Sequence, residues 1–129
     1  MAKFTYFLPQ RLAEKIQPLD SVALISVAVP GEEVKLKEGW KYLLLIRFHD
    51  TDLQESPWTY FDEEMARRII LFVDNVLDKV DTIVVHCQAG MSRSAAISTF
   101  LKDMYKLQVP HWIKVVHCQD ASAMNRLVY

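Results

Sequence analysis

The residues best suited to chemistry lie between positions 86 and 94, which read His-Cys-Gln-Ala-Gly-Met-Ser-Arg-Ser. Five residues separate Cys87 from Arg93, which is enough chain to wrap around one tetrahedral anion. Backbone N–H groups of such a loop can point inward as an anion nest, and Gly90 supplies a conformation that other residues disfavour. Arg93 can donate two parallel N–H bonds to anion oxygens, a geometry that lysine cannot match. The spacing therefore predicts a phosphate-sized anion site beside a thiol.

The same surroundings favour a reactive sulfur at position 87. Thiols at a helix N-terminus beside a cation have pKa values of about 3.5–7.5, against about 8.5 for an unperturbed thiol. We therefore expect Cys87 to be a thiolate nucleophile at neutral pH. Ser94 is placed to hydrogen-bond the sulfur when it leaves, and His86 to brace the loop rather than to react. A lone cysteine is usually an inert core residue, but Gly90, Arg93 and Ser94 together favour the reactive interpretation.

The pattern H-C-x-x-G-x-x-R-S after a short apolar strand resembles the signature of the cysteine-dependent protein tyrosine phosphatases. The chain is similar in size to their compact dual-specificity-like branch, and the resemblance covers about residues 22–105. It implies that a phosphocysteine forms on Cys87 without a metal or a cofactor, and that Arg93 binds the phosphoryl group. The phosphate-binding loop would consist of Gln88, Ala89, Gly90, Met91 and Ser92.

Other proteins with a cysteine loop fit this sequence less well. Low-molecular-weight tyrosine phosphatases carry their cysteine close to the N-terminus, whereas Cys87 lies two-thirds along the chain. Rhodanese-type sulfurtransferases also have a cysteine loop, but the Arg-Ser ending fits phosphate chemistry better. The tripeptide His-Cys-Gln recurs around Cys118 without an arginine six residues later, so we interpret Cys118 as a packing residue.

The resemblance also implies a general acid, an aspartate on a loop well before the cysteine, which protonates the leaving oxygen. Asp50 and Asp52 both follow the apolar segment 40–48. Asp50 lies nearer to the expected strand end, as in the compact relatives, and is preferred; Asp52 is the alternative acid. Either one could instead cap a turn, a common role of aspartate.

Apolar strands alternate with helical patterns, which predicts an α/β fold with a mostly parallel central sheet flanked by helices. Strands are expected at 3–8, 22–29, 40–48 and 82–86. A short helical turn is expected at 11–16 and a longer helix after an Asp62 N-cap. Another helix is expected from near Arg93, with apolar residues at 95, 96, 97, 100, 101 and 104. The resemblance further implies a dual-specificity-phosphatase-like arrangement. Ligands of such sheets bind beyond the carboxyl ends of the strands, where the loop at 87–93 would lie.

The composition is that of one soluble domain spanning residues 1–129. Half the residues are hydrophobic (51%), and 15 basic residues nearly balance 16 acidic ones. This balance disfavours a nucleic-acid or membrane partner, two cysteines are too few for a disulfide framework, and the first ten residues do not resemble a secretory signal. A cytoplasmic location is the expectation.

The expected substrate is a phosphorylated protein or a small phosphate ester. Related phosphatases that act on phosphoinositides often carry extra basic residues in this loop, whereas the residues between Cys87 and Arg93 include no lysine or arginine, so the resemblance disfavours a phosphoinositide. The chain has no room for the long pocket-deepening insertions of the large tyrosine-specific enzymes, so the resemblance implies a shallower site that accepts phosphotyrosine, with phosphoserine and phosphothreonine as further substrates. Two alternatives stay open: a phosphate-binding module with weak or no turnover, and a phosphatase that acts on a non-protein phosphate ester.

Overall fold

The computed structural model describes residues 1–49, 61–88 and 93–109. Within these ranges four parallel strands form one sheet in the spatial order β1-β4-β2-β3: β1 (Phe4–Pro9), β2 (Val22–Ala28), β3 (Tyr42–Arg47) and β4 (Thr82–Cys87). The helices are α1 (Gln10–Ala13), α2 (Glu63–Val76) and α3 (Arg93–Tyr105). The predicted α/β class and parallel sheet are confirmed.

The two central strands owe their position to uninterrupted apolar sequence. β2 and β4 are rich in Val and Ile and are buried along nearly their whole length, as is typical of parallel strands covered on both faces. One face packs against α2 and α3, where Ile69, Val73 and Leu101 are buried. The other face carries Leu24 and Val84 and packs against α1 and the chain that follows it.

Helix α2 begins where its sequence predicts. The Asp62 side chain accepts a hydrogen bond from the Met65 backbone N–H at 2.9 Å and so caps the helix, which stabilises it by about 0.5–2 kcal/mol. Glu63 and Glu64 lie in the first turn, next to the positive end of the helix dipole. The Asp62 cap therefore sets the start of α2.

Helix α3 buries a different stripe from the one that its apolar residues predict. Ala95, Ile97 and Leu101 are buried as expected, but Ala96, Phe100 and Met104 are exposed. These three lie four residues apart, so they share one outward face of the helix. Ser94 and Ser98 are buried instead, and each is accommodated because its hydroxyl finds a hydrogen-bond partner.

Strand β3 also differs from its prediction as a buried strand. It is the edge strand next to β2, and Leu43 and Leu45 are exposed while Ile46 is buried. An apolar run by itself does not tell an edge strand from a central one. In the described part of the chain, no helix is both long and apolar enough to cross a bilayer.

Candidate active site

The candidate site lies at the carboxyl edge of the sheet, where β4 ends and α3 begins. Because the sheet is parallel, all four strands end at this edge; Pro9 of β1 is opposite Cys87, and Ser26 of β2 is opposite His86. Cys87 is the last residue of β4 and is 1% exposed. The chain leaves the sheet here and re-enters regular structure at Arg93, the first residue of α3.

Cys87 and Ser94 are in direct contact. The distance from Cys87 Sγ to Ser94 Oγ is 3.1 Å, and both side chains are buried. Ser94 is the second residue of α3, so the sulfur lies beside the first turn of that helix, where the dipole favours negative charge. A thiolate at this position would accept a hydrogen bond from the Ser94 hydroxyl. This contact joins two residues that sequence analysis assigned to the site.

Arg93 is a buried cation with incomplete hydrogen bonding. Its side chain is 9% exposed, and Nη1 donates to the carbonyl oxygen of Phe48 at 3.3 Å. Its Nε has no hydrogen-bond partner within the described residues. An unsatisfied buried donor on a charged group is costly, so this guanidinium is suited to receiving an anion.

Phe48 anchors the chain that follows β3 against this guanidinium. Its backbone N–H donates to the Ala28 carbonyl at 3.0 Å, which extends the pairing of β3 with β2 by one residue. Its ring centroid lies 6.0 Å from the guanidinium carbon of Arg93, within cation–π distance. The ring also packs edge to face against Phe61 at 5.1 Å. The residues just before and just after the stretch 49–60 are therefore held together beside Arg93.

His86 lies on the opposite face of β4 from Cys87 and contacts the neighbouring strand β2. That it braces the loop stays a prediction, because residues 89–92 lie outside the described residues. Its Nε2 is 2.6 Å from the Ser26 hydroxyl on β2, and both residues are fully buried. Burial lowers the pKa of His86 from 6.5 to about 4; the backbone of Cys87 opposes this shift, and the charge of Arg47 adds to it. The ring is therefore neutral at physiological pH, and it supplies no positive charge to the neighbouring sulfur.

Of the remaining predicted site residues, Gln88 alone lies in the described part of the chain. Gln88 is exposed at the end of β4, and its carbonyl accepts a hydrogen bond from the Gln10 N–H at 3.3 Å. The other loop residues and both candidate acids lie outside the described residues: Asp50, Asp52, Ala89, Gly90, Met91 and Ser92. Cys118 lies outside them as well.

Sequence analysis missed three residues: Ser26, which contacts His86; Phe48, which contacts Arg93; and Arg47, which donates to the Ser26 carbonyl. Ser26 gave a signal, since it is a polar residue within an otherwise apolar strand, and a buried hydroxyl requires a partner. Arg47 gave a similar signal as a charge at the end of an apolar run. Nothing in the sequence indicates the role of Phe48, because the group that binds Arg93 is a backbone carbonyl.

No cluster of three or more His, Cys, Asp or Glu side chains that could hold a metal ion occurs among residues 1–49, 61–88 and 93–109. Comparisons with models of known protein families and with curated proteins find no match. The phosphatase resemblance therefore stays a prediction that rests on the residues themselves.

Proposed function

We propose that the chain is a cysteine-dependent phosphatase with a dual-specificity-like fold that hydrolyses phosphotyrosine in proteins. The observation that supports this most directly is the junction of β4 and α3. It combines a buried sulfur 3.1 Å from the Ser94 hydroxyl with a buried arginine whose Nε has no partner in the part of the chain that the structure describes. A nucleophile, a donor to that nucleophile and an available guanidinium are the groups that phosphoryl transfer through a cysteine requires.

In the first step, the Cys87 thiolate attacks phosphorus in line and forms an S–P bond. The P–O bond to the leaving group breaks, and its electron pair stays on that oxygen, which takes a proton from Asp50. Arg93 and the amides of the loop stabilise the equatorial oxygens of the transferring group. Asp50 follows Phe48 by two residues, and Phe48 is hydrogen-bonded to Arg93, so the acid would start from a segment attached to the phosphate clamp.

In the second step, a water molecule attacks the phosphorus of the phosphocysteine and loses a proton to the Asp50 carboxylate. The S–P bond breaks, and its electron pair returns to the sulfur, which accepts a hydrogen bond from Ser94. The net reaction consumes one water and releases inorganic phosphate and the dephosphorylated residue. No step requires a metal or a cofactor.

The proposed substrate class follows from the charges of the loop. The absence of lysine and arginine between Cys87 and Arg93 favours a protein substrate over a polyanionic lipid headgroup. Phosphoserine and phosphothreonine are further substrates if the site is shallow. A cytoplasmic location and the absence of nucleic-acid and membrane partners are part of the same proposal.

The test is hydrolysis of a generic aryl phosphate by the full chain, with and without vanadate and with and without a chelator. We expect turnover that vanadate inhibits and the chelator does not. Cys87→Ser should abolish turnover and retain phosphate binding, and a Cys87→Ser protein with full activity would refute the mechanism. Vanadate binding without turnover would instead identify a binding module, and sulfur transfer to cyanide would identify a sulfurtransferase.

A further inference from the structure

The contact between the chain of β1 and the chain of β4 continues past the candidate nucleophile. Pro9 is opposite Cys87 where the two strands end. The next residue, Gln10, donates its backbone N–H to the Gln88 carbonyl at 3.3 Å. Gln88 is the first residue of the predicted phosphate-binding loop and the last that the structure describes before residue 93. Gln10 is therefore bonded to the loop at the point where the loop leaves the sheet.

The side chain of Gln10 is held in place as well. Its Nε2 lies 3.1 Å from a carboxylate oxygen of Glu14 and 3.4 Å from the Glu33 carbonyl. Both of these oxygens can only accept, so the nitrogen end of the carboxamide must face them. The same Glu14 oxygen accepts the Lys35 backbone N–H at 2.8 Å. This bond and the one from Gln10 lower the pKa of Glu14, which keeps the carboxylate ionised at neutral pH.

The direction of the Gln88 carbonyl has a consequence for anion binding, because a peptide unit is planar and trans. Its C=O and its N–H point in opposite directions. A unit whose oxygen points toward β1 therefore turns its N–H away from β1. An anion nest needs N–H groups directed inward, and a carbonyl turned toward the anion would repel it. The Gln10 N–H thus holds this carbonyl in the orientation that an anion site requires.

We propose that Gln10 is a positioning residue for the phosphate-binding loop, because its backbone N–H holds the Gln88 carbonyl toward β1 and leaves the N–H of the same peptide unit to bind the anion. This role rests on the proposed function, since it requires that the loop binds a phosphoryl group. It depends on the backbone of Gln10 rather than on its side chain, so the sequence pattern does not indicate it.

Gln10→Pro removes the N–H with little disturbance of the backbone. Gln10 is the first residue of α1, a helix position that accepts proline, and Pro9 has φ −70° and ψ 155°, a conformation favoured before a proline. Gln10→Ala is the matched control, because it removes the side-chain bonds and keeps the N–H. Glu63→Pro is a second control, because it places a proline at the first position of α2, where no described backbone carbonyl accepts the N–H.

The measurement is the dissociation constant of vanadate for the folded full chain, with the free energy of unfolding by urea as a separate readout. Loss of one hydrogen bond to a charged group should weaken vanadate binding by about 10-fold in Gln10→Pro. We expect wild-type affinity in Gln10→Ala and Glu63→Pro, whatever their stability. A merely structural role would lower the stability of Gln10→Pro and leave its vanadate affinity unchanged, and that result would overturn the inference.

Amide hydrogen exchange of the wild-type chain tests the same bond without a substitution, and it decides the matter if Gln10→Pro fails to fold. Because coupling between the bond and the anion is reciprocal, saturating vanadate should slow exchange of the Gln10 N–H by about 10-fold. The Glu32 N–H, which donates to the Val29 carbonyl at 3.0 Å, is the control and should not change. Equal exchange rates of the Gln10 N–H with and without vanadate would overturn the inference.

The outcomes separate this inference from the proposed function. A wild-type chain that binds no vanadate would overturn both. A wild-type chain that hydrolyses an aryl phosphate, while Gln10→Pro binds vanadate equally tightly, would overturn the positioning role alone. Vanadate binding without turnover, together with the expected loss in Gln10→Pro, would support the positioning role in a phosphate-binding module and overturn the catalytic part of the proposed function.

Discussion

Arg93 and Phe48 are joined by a hydrogen bond from the guanidinium Nη1 to the backbone carbonyl at 3.3 Å, although 45 residues separate them in the chain. Arg93 begins the helix after the proposed phosphate-binding loop, and Phe48 lies two residues before Asp50, the preferred candidate acid. Because Arg93 Nε has no partner among the described residues, the guanidinium can take an anion without giving up Phe48. Arg93, the proposed phosphate-binding residue, is thus attached to the segment that precedes the proposed general acid.

Arg93→Lys should weaken anion binding and keep the positive charge. The lysine cannot donate two parallel bonds to phosphate oxygens, and the loss of a charge-assisted hydrogen bond costs about 1.5–3 kcal/mol. We expect the inhibition constant of vanadate to rise by about 10- to 100-fold. The control is Arg67→Lys, which changes an arginine in an exposed ion pair with Glu64. Equal vanadate affinity in Arg93→Lys and the wild type would contradict the assignment.

Ser94→Ala should slow the second half of the reaction. Without the hydroxyl at 3.1 Å, the departing thiolate loses a hydrogen-bond donor, which is worth about 1.5–3 kcal/mol for a charged acceptor. We expect kcat to fall by about 10- to 100-fold while the first burst of phenol release persists. Stopped-flow measurement of the burst separates the two steps. Ser98→Ala, one helical turn further along the same buried face, should keep the wild-type kcat; a Ser94→Ala protein with the same kcat as Ser98→Ala would exclude this role.

Asp50→Asn and Asp52→Asn should distinguish the two candidate acids, both of which lie outside the described residues. General acid catalysis contributes about 10²- to 10⁴-fold, so loss of the acid should lower kcat by that factor with a poor leaving group. We expect this effect for Asp50→Asn and only a small one for Asp52→Asn. The loss should shrink with an aryl phosphate whose phenol is already a good leaving group. The reverse ranking would assign the acid to Asp52.

His86 should make the folded state less stable in mild acid. Its pKa is about 4 when folded and about 6.5 when unfolded, so the unfolded chain binds the proton first as the pH falls. The contribution of neutral His86 to the free energy of unfolding is fully present above pH 6.5 and is lost progressively between pH 6.5 and about 4. Each unit between the folded and unfolded pKa values corresponds to about 1.36 kcal/mol, so the total loss of stability is of the order of 3 kcal/mol.

The measurement is the free energy of unfolding by urea at several pH values in this window. His86→Gln should give a shallower slope against pH than the wild type, whatever its absolute stability. Arg47, Arg93 and Glu14 also act on the ring, and they are unchanged in this comparison. Parallel slopes for the two proteins would show that His86 is not the buried neutral group described above.

The sequence predicts the parts of this structure that depend on local chemistry. The strands at Val22–Ala28 and Thr82–Cys87 follow from runs of β-branched residues, and the start of α2 follows from Asp62 as an N-cap. Cys87 and Ser94 are only seven residues apart in the chain, so their contact follows from a strand that is succeeded by a helix. These features are fixed by neighbours in the chain.

Features that depend on distant partners could not be predicted in this way. Ser26 and His86 are 60 residues apart, and their contact requires the strand order that places β2 beside β4. Phe100 has an apolar side chain but faces outward, whereas Ser94 and Ser98 are buried and each has its own hydrogen-bond partner. Hydrophobicity alone does not reveal such pairs.

The measurement that tests the central claim most directly is the trapping of the covalent intermediate. The full chain is mixed with an aryl phosphate, quenched within one turnover and digested, and the phosphorylated peptide is located by mass spectrometry. Our account predicts one phosphate on the sulfur of Cys87, in larger amounts in Ser94→Ala and absent in Cys87→Ser. Turnover without a phosphocysteine, or with phosphate on another residue, would contradict it.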